Sequence, residues 1–213
     1  MSIRIGKMTI GAVATNCYFV YDDAQEGVKS AIVFDPADRG AMIYDKMLES
    51  GLKCEAIVLT HGHFDHIWGV QELRGKSGAK VYALDVEKDL LEDTALNVSQ
   101  DAGRPCTVKA NEFFSDGQEV TLAGMTFQVI ATPGHTKGSC CYYFKKADIL
   151  VSGDTIFEES VGRSDLPTGS NSQLVRSIQD KIFTLPDMVK IYPGHGGATT
   201  VGHEKEYNPY IGF

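Results

Sequence analysis

The segment Thr60-His61-Gly62-His63-Phe64-Asp65-His66 constrains this chain more than any other feature. Three of its six histidines fall within six residues, beside an aspartate, directly after a predicted strand over Glu55–Leu59. The apolar run in that strand reads as one buried on both faces. Three imidazoles and a carboxylate buried there without a cation would carry a heavy desolvation cost. Fully exposed, they would sit poorly beside an apolar strand. Histidines at i and i+2 of an extended loop point to one side. Asp65 and His66, where the chain turns into a helix, point elsewhere. One loop can thus supply two ligands to one metal and two to a neighbour. Imidazole nitrogen and carboxylate oxygen suit zinc, iron or manganese, and no thiolate is offered.

Three further strand ends repeat the theme. Thr132-Pro133-Gly134-His135-Thr136 follows a predicted strand Met125–Ala131, and Tyr192-Pro193-Gly194-His195-Gly196 follows Lys190–Tyr192. Val151-Ser152-Gly153-Asp154-Thr155 ends the strand Ile149–Ser152 on a carboxylate. Pro-Gly alone is an ordinary turn. The shared placement is what matters, because loops at strand ends carry chemistry on a rigid scaffold.

Hydrophobic periodicity adds strands over Ile3–Ile10, Asn16–Tyr21, Ser30–Phe34, Lys80–Ala83, Val120–Leu122 and Ser139–Phe144. Helices are predicted over Gly40–Ser50, His66–Leu73, Asp85–Leu96 and Asn171–Phe183, the last capped by Asn171. Trp68 is expected in the core, and Tyr142 and Tyr143 are expected to fill a sheet. Strands and helices mix in both halves, which predicts an α/β protein of layered sheets covered by helices, one domain over 1–213.

Composition excludes several classes. Apolar residues make up 43% and charged residues 23% of the 213, an ordinary balance for a globular chain. Net charge is −8 and no basic cluster exceeds Lys145-Lys146, so a nucleic-acid partner is not expected. No apolar run approaches the ~20 residues of a membrane helix, so no membrane partner is expected. The opening MSIRIGKMTIG lacks the apolar stretch of a secretory signal. The five cysteines form no C-x-x-C pair and read as buried, reduced thiols of a cytoplasmic protein.

The run His61-Gly62-His63-Phe64-Asp65-His66, then Pro133-Gly134-His135-Thr136, Ser152-Gly153-Asp154-Thr155-Ile156-Phe157 and Pro193-Gly194-His195-Gly196, resembles the metallo-β-lactamase superfamily over nearly the whole chain. The resemblance implies an αββα sandwich, two mixed β-sheets flanked by helices, with two divalent metal ions at one edge. Zinc is the first choice, followed by iron or manganese. By position, His61, His63 and His135 would hold the first ion. Asp65, His66 and His195 would hold the second, and Asp154 would bridge them. Asp35, in Phe34-Asp35-Pro36, resembles the family's aspartate that orients a metal-bound imidazole. His203 matches no ligand position and is expected at the surface.

Two divalent ions facing Asp65, Asp154 and one bridging hydroxide leave about one positive charge, suited to an anionic oxygen. Such ions lower the pKa of water to about 7, so hydroxide is available to attack a carbonyl, with Asp65 orienting it. A thiol has a pKa of only about 8.5, so a thiolate leaves without an acid, which favours a thioester over an amide. The run Gly162-Arg163-Ser164-Asp165-Leu166-Pro167 is similar to short bacterial glyoxalase II, which hydrolyses S-lactoylglutathione. That likeness implies a small-molecule thioester substrate and a substrate contact at Arg163. Where larger glyoxalases II carry a tyrosine two residues after the last histidine, this chain has Gly197, which leaves the thiol carrier open. The rival enzyme is a mononuclear iron persulfide dioxygenase using His61, His135 and Asp154. A lactonase-type hydrolase and a non-catalytic scaffold also compete with the thioesterase reading.

Overall fold

The computed structural model describes residues 2–211. Its first sheet contains six strands in sequential order: β1 (Ile3–Ile10), β2 (Thr15–Asp22), β3 (Lys29–Phe34), β4 (Leu52–Val58), β5 (Lys80–Leu84) and β6 (Glu112–Phe114). β1 to β3 are antiparallel, and β3 to β6 run parallel. The parallel pairings need crossovers. Helix α1 (Gly40–Glu49) supplies the first, and α2 (Phe64–Ile67) with α3 (Val70–Ser77) the second. After β5 come a 3₁₀ turn, Asp85–Glu87, and the one-turn helix α4 (Lys88–Leu91).

The second sheet uses β7 (Glu119–Leu122), β8 (Met125–Ala131), β9 (Cys140–Phe144) and β10 (Ile149–Gly153) as an antiparallel meander. A small hairpin, β11 (Ile156–Phe157) and β12 (Ser160–Val161), follows. Then come helix α5 (Asn171–Ser177), β13 (Lys190–Pro193) parallel to β10, the edge strand β14 (Thr199–Thr200) and helix α6 (Val201–Tyr207).

Strand alternation sorts the side chains into three apolar layers. Phe19, Val33 and Ile57 face Ile43 of α1 and Leu73 of α3. Val20, Ile32, Phe34 and Val58 face the other way, onto Phe127, Val129, Tyr142 and Phe144 of the second sheet. On that sheet's far face, Cys141, Tyr143, Leu150 and Ile191 meet Leu174, Ile178 and Ile182. Helix, sheet, sheet, helix is the observed layering. No helix is long and apolar enough to cross a membrane among the described residues.

Several local expectations need correction. The helix expected over His66–Leu73 is two helices, because the Gly69 amide leaves the helical ladder and donates to the Ala37 carbonyl at 3.2 Å, a close approach to the 36–37 backbone that only glycine allows. The helix expected over Asp85–Leu96 ends at Leu91. The Asp93 carboxylate accepts the amides of Ala95 and Leu96, a local turn that competes with helix. Ser170, not Asn171, precedes the first helical residue of α5, and no side chain caps it. The last turn of that segment, Ile178–Ile182, widens to π-helical. Trp68 is half-buried rather than core: its indole donates to the Arg104 carbonyl at 2.9 Å and the Arg104 guanidinium lies over its ring. Of the five free cysteines, Cys106 is only partly buried. Strands β6, β11, β12 and β14 and helix α6 had no clear sequence signal, being short pieces held by their neighbours.

Candidate metal centre

The polypeptide directions bring five strand ends to one edge. β3, β4, β8, β10 and β13 all end there, and they are followed by Asp35, the His61–His66 segment, His135, Asp154 and His195. Two sheets stacked face to face thus collect residues more than 150 positions apart in the chain. Cross-sheet bonds lock this edge. The Tyr142 hydroxyl donates to the Leu59 carbonyl at 2.7 Å, and the Cys140 amide donates to the Thr60 carbonyl at 3.0 Å.

All seven side chains expected as ligands come together. His61, His63 and His135 form one group, and Asp65, His66 and His195 a second, each with its ligand atoms within 4.8 Å of one another. Asp154 stands between them. One carboxylate oxygen is 3.3 Å from His66 Nε2, and the other is 3.6 Å from His135 Nε2 and 3.4 Å from His195 Nε2. Within the first group, His135 Nε2 is 2.8 Å from His63 Nδ1 and 3.2 Å from His61 Nε2. Six of the seven side chains are deeply or largely buried, and His195 is the most open, 28% exposed.

The surrounding hydrogen bonds set which nitrogen faces inward. The Asp35 carboxylate accepts the Thr60 amide at 2.8 Å, the Thr60 hydroxyl at 2.6 Å and His66 Nδ1 at 2.9 Å. The Thr60 hydroxyl, having donated to Asp35, accepts from His61 Nδ1 at 3.1 Å. His135 Nδ1 donates to the Arg163 carbonyl at 2.7 Å. In each case the outer nitrogen carries a proton and Nε2 is the nitrogen turned to the centre, where a cation would take its lone pair. Asp35 itself sits at φ 48°, a left-handed conformation that aspartate tolerates better than most residues.

Electrostatics point the same way. Burial first, then the neighbouring imidazoles, holds His61 well below the ordinary histidine range, and burial takes His63 down to about 3. Burial would also depress His195. Its contacts with Asp154 and Asp65 outweigh that and raise it to about 9. Burial would raise Asp65, but the charge of His66 and the His195 contact lower it to about 2. Without a cation the centre therefore holds protons on some imidazoles to balance its carboxylates, while others stay neutral.

Do these residues fit a metal? His66 Nε2 and Asp154 Oδ1, both facing the centre, are buried with no hydrogen-bond partner. The 3.3 Å His66–Asp154 approach is close but not aligned as a hydrogen bond. Orphaned buried polar atoms are costly. Ring nitrogens of three imidazoles converge at 2.8–3.2 Å, and with the protons of His61 and His135 turned outward they offer more lone pairs than protons, which a cation between them would satisfy. The donor set fits divalent cations.

Several supporting residues were not legible in the sequence. Thr15 donates its hydroxyl to Asp65 Oδ2 at 2.7 Å. Asn16 Nδ2 and the Tyr18 hydroxyl both donate to the Pro193 carbonyl, at 2.9 and 2.8 Å, and the Asn16 amide donates to the Gly194 carbonyl, fastening the His195 loop to β2. Gly194 must be glycine, since a Cβ would lie 2.1 Å from Asp154 Oδ1. The exposed Arg163 guanidinium pairs in two-pronged fashion with Asp165, at 2.8 Å for each bond, so in this structure its main chain rather than its side chain serves the centre. His203 is partly exposed on α6, 3.1 Å from Glu159 and apart from both groups.

Known proteins place this geometry. The chain is 37% identical over 207 residues to the probable metallo-hydrolase YqgX of Bacillus subtilis, covering 96% of both. It is 29% identical to the hydroxyacylglutathione hydrolase GloC of Haemophilus influenzae, covering 99% of this chain and 98% of that one. Among solved structures, BLEG-1 B3 metallo-beta-lactamase superposes with a TM-score of 0.92 at 37% identity, covering 98% of this chain and 99% of that one. TTHA1623 in a di-iron-bound form superposes at 0.85 with 30% identity, covering 96% and 99%. The model of the metallo-beta-lactamase superfamily matches residues 10–195, the stretch that carries all five strand-end loops, and this chain belongs to that superfamily.

Proposed function

We propose that this protein is a metal-dependent hydrolase of a small-molecule thioester, with S-lactoylglutathione as the first substrate to test. The observation that carries the reading is the pair of facing ligand groups with Asp154 between them. His61, His63 and His135 would hold one divalent cation and Asp65, His66 and His195 the other, with Asp154 reaching both. The all-nitrogen and oxygen donor set supports zinc, and the di-iron form of a 30% identical neighbour makes iron its competitor. Bound there, divalent cations supply Lewis acidity, making hydroxide available near neutral pH and stabilising negative charge on an acyl oxygen.

The chain's own residues do the rest. Asp65, held at Oδ2 by Thr15, orients the attacking water. Asp35 and Thr60 keep His66 and His61 turned so that their lone pairs face inward. A thiolate departs without a proton, so a centre whose acids and bases are all engaged as ligands suits a thioester. The GloC relative supports that substrate class. Arg163 would contact an anionic carrier by exchanging Asp165 for the substrate's carboxylate.

The test is a substrate panel on protein of measured metal content: S-lactoylglutathione, an acyl-coenzyme A, a β-lactam, a lactone and a thiol persulfide with oxygen uptake. Thioester hydrolysis that exceeds every other arm, and is lost on chelation, is the expected result. A preference for the β-lactam, the activity that names the BLEG-1 neighbour, overturns the substrate class. Oxygen uptake without thioester hydrolysis overturns the reaction type.

A further inference from the structure

Glu87 is a carboxylate 1% exposed, and nothing in the reaction uses it. It sits on the 3₁₀ turn Asp85–Glu87, between the two loops that carry the first ligand group. Its Oε1 accepts the Gly62 amide at 2.8 Å, midway between His61 and His63. The Thr136 hydroxyl, next to His135, lies 2.9 and 3.0 Å from the two carboxylate oxygens, and the Gly138 amide donates as well. Among the described residues no cation pairs with it, and nearby Lys137 is engaged with Asp89 at 3.1 Å.

Packing repeats the hydrogen-bond pattern. A Cβ on Gly62 would fall 2.8 Å from methyl carbons of both Leu90 and Leu91, and one on Gly138 would fall 2.4 Å from Glu87 Oε2. Both loops therefore lie directly against the segment 85–91, which fills the space between them. A buried carboxylate without a counter-cation is retained at a cost. Here that cost is offset by donors that come from two loops more than 70 positions apart in sequence.

We propose that Glu87 is the positioning residue of the first ligand group, setting the separation between the loop bearing His61 and His63 and the loop bearing His135. This rests on the reading of those histidines as a metal site. Glutamine keeps one carbonyl oxygen, which can hold the Gly62 amide and the Thr136 hydroxyl, but its NH₂ replaces the Oε2 that faces the Gly138 amide, so Glu87→Gln loosens the loop bearing His135 while it holds the other. Alanine satisfies neither.

The experiment measures zinc and cobalt affinity by chelator competition, with cobalt absorption reporting the ligand geometry, on folded protein in two backgrounds. In His195→Ala, which disables the second group, Glu87→Gln lowers affinity about tenfold or more, as loss of an orienting partner does. In His135→Ala, which disables the first group, the same change shifts affinity by less than about threefold on that scale. Thr136→Val, which removes only the hydroxyl contact, repeats the selective loss more weakly and serves if Glu87→Gln does not fold. An equal loss in both backgrounds, or none in either, overturns the positioning role. A wild-type chain that binds no divalent cation overturns the metal reading and this inference together. Two cations bound with no Glu87 effect overturn this inference alone.

Discussion

Asp35→Asn is the most discriminating change available near this centre, because it removes one charge and leaves shape and backbone alone. Asparagine tolerates the left-handed φ of 48° as aspartate does. The amide oxygen can keep the Thr60 N–H, now at 2.8 Å. The new NH₂ then replaces the oxygen that accepts both the Thr60 hydroxyl and His66 Nδ1. A donor there forces His66 to carry its proton on Nε2, pointing an N–H at Asp154. It also reverses the Thr60 hydroxyl, which then donates to His61 Nδ1 and moves that proton to Nε2 as well. One atom thus withdraws a lone pair from each ligand group. A hydrogen bond to a charged group is worth about 1.5–3 kcal/mol, which converts to about ten- to hundredfold in affinity at each site. Chelator competition measures the affinities, and nitrogen-15 spectra of the zinc-loaded protein report which imidazole nitrogens carry protons. Both affinities staying within about threefold of wild type, on the scale of such orienting bonds, with unchanged tautomers, would show that Asp35 does not set the histidines as argued.

Four further outcomes are expected. Gly194→Ala places a methyl 2.1 Å from Asp154 Oδ1, so metal analysis should show the second cation weakened by about tenfold or more while the fold persists. Arg163→Ala keeps the carbonyl that holds His135, so metal content should not change, and KM for an anionic thioester should rise about fivefold with kcat unchanged, matching about 1 kcal/mol for an exposed charge contact. Phe127→Ala empties a site ringed by Phe34, Phe114, Tyr142 and Phe144 and should cost about 3–5 kcal/mol in urea unfolding. Burial lifts Glu87 from 4.5 to about 7, so folding favours its protonated form; that stabilisation is complete below the unfolded value and gone once pH passes about 7. Metal-free wild type should therefore lose about 3 kcal/mol relative to Glu87→Gln between roughly pH 5 and 8, read by denaturant melts at each pH.

Much of this was legible in one dimension. Runs such as Ala56–Leu59 and Met125–Ala131 have the length and apolar character of buried strands, and sheet burial makes that pattern necessary. The histidines and aspartates after them stood out because ionisable side chains beside an apolar strand need a partner. Elements without such a pattern were lost: α6, β14 and the β11–β12 hairpin depend on contacts made late in the chain, including the buried Glu204 that accepts Thr199, the Glu159 amide and Asn208.

The seven candidate ligands, their order and the layered α/β architecture belong to the sequence, since strand burial and donor chemistry are local properties. Tertiary structure alone decided how those ligands are aimed. The tautomers follow from Asp35, Thr60 and the Arg163 carbonyl, and the loop spacing follows from Glu87, Thr15 and Asn16. Hydrogen bonds between residues tens of positions apart leave no periodic trace in a chain. They exist only once the two sheets have stacked.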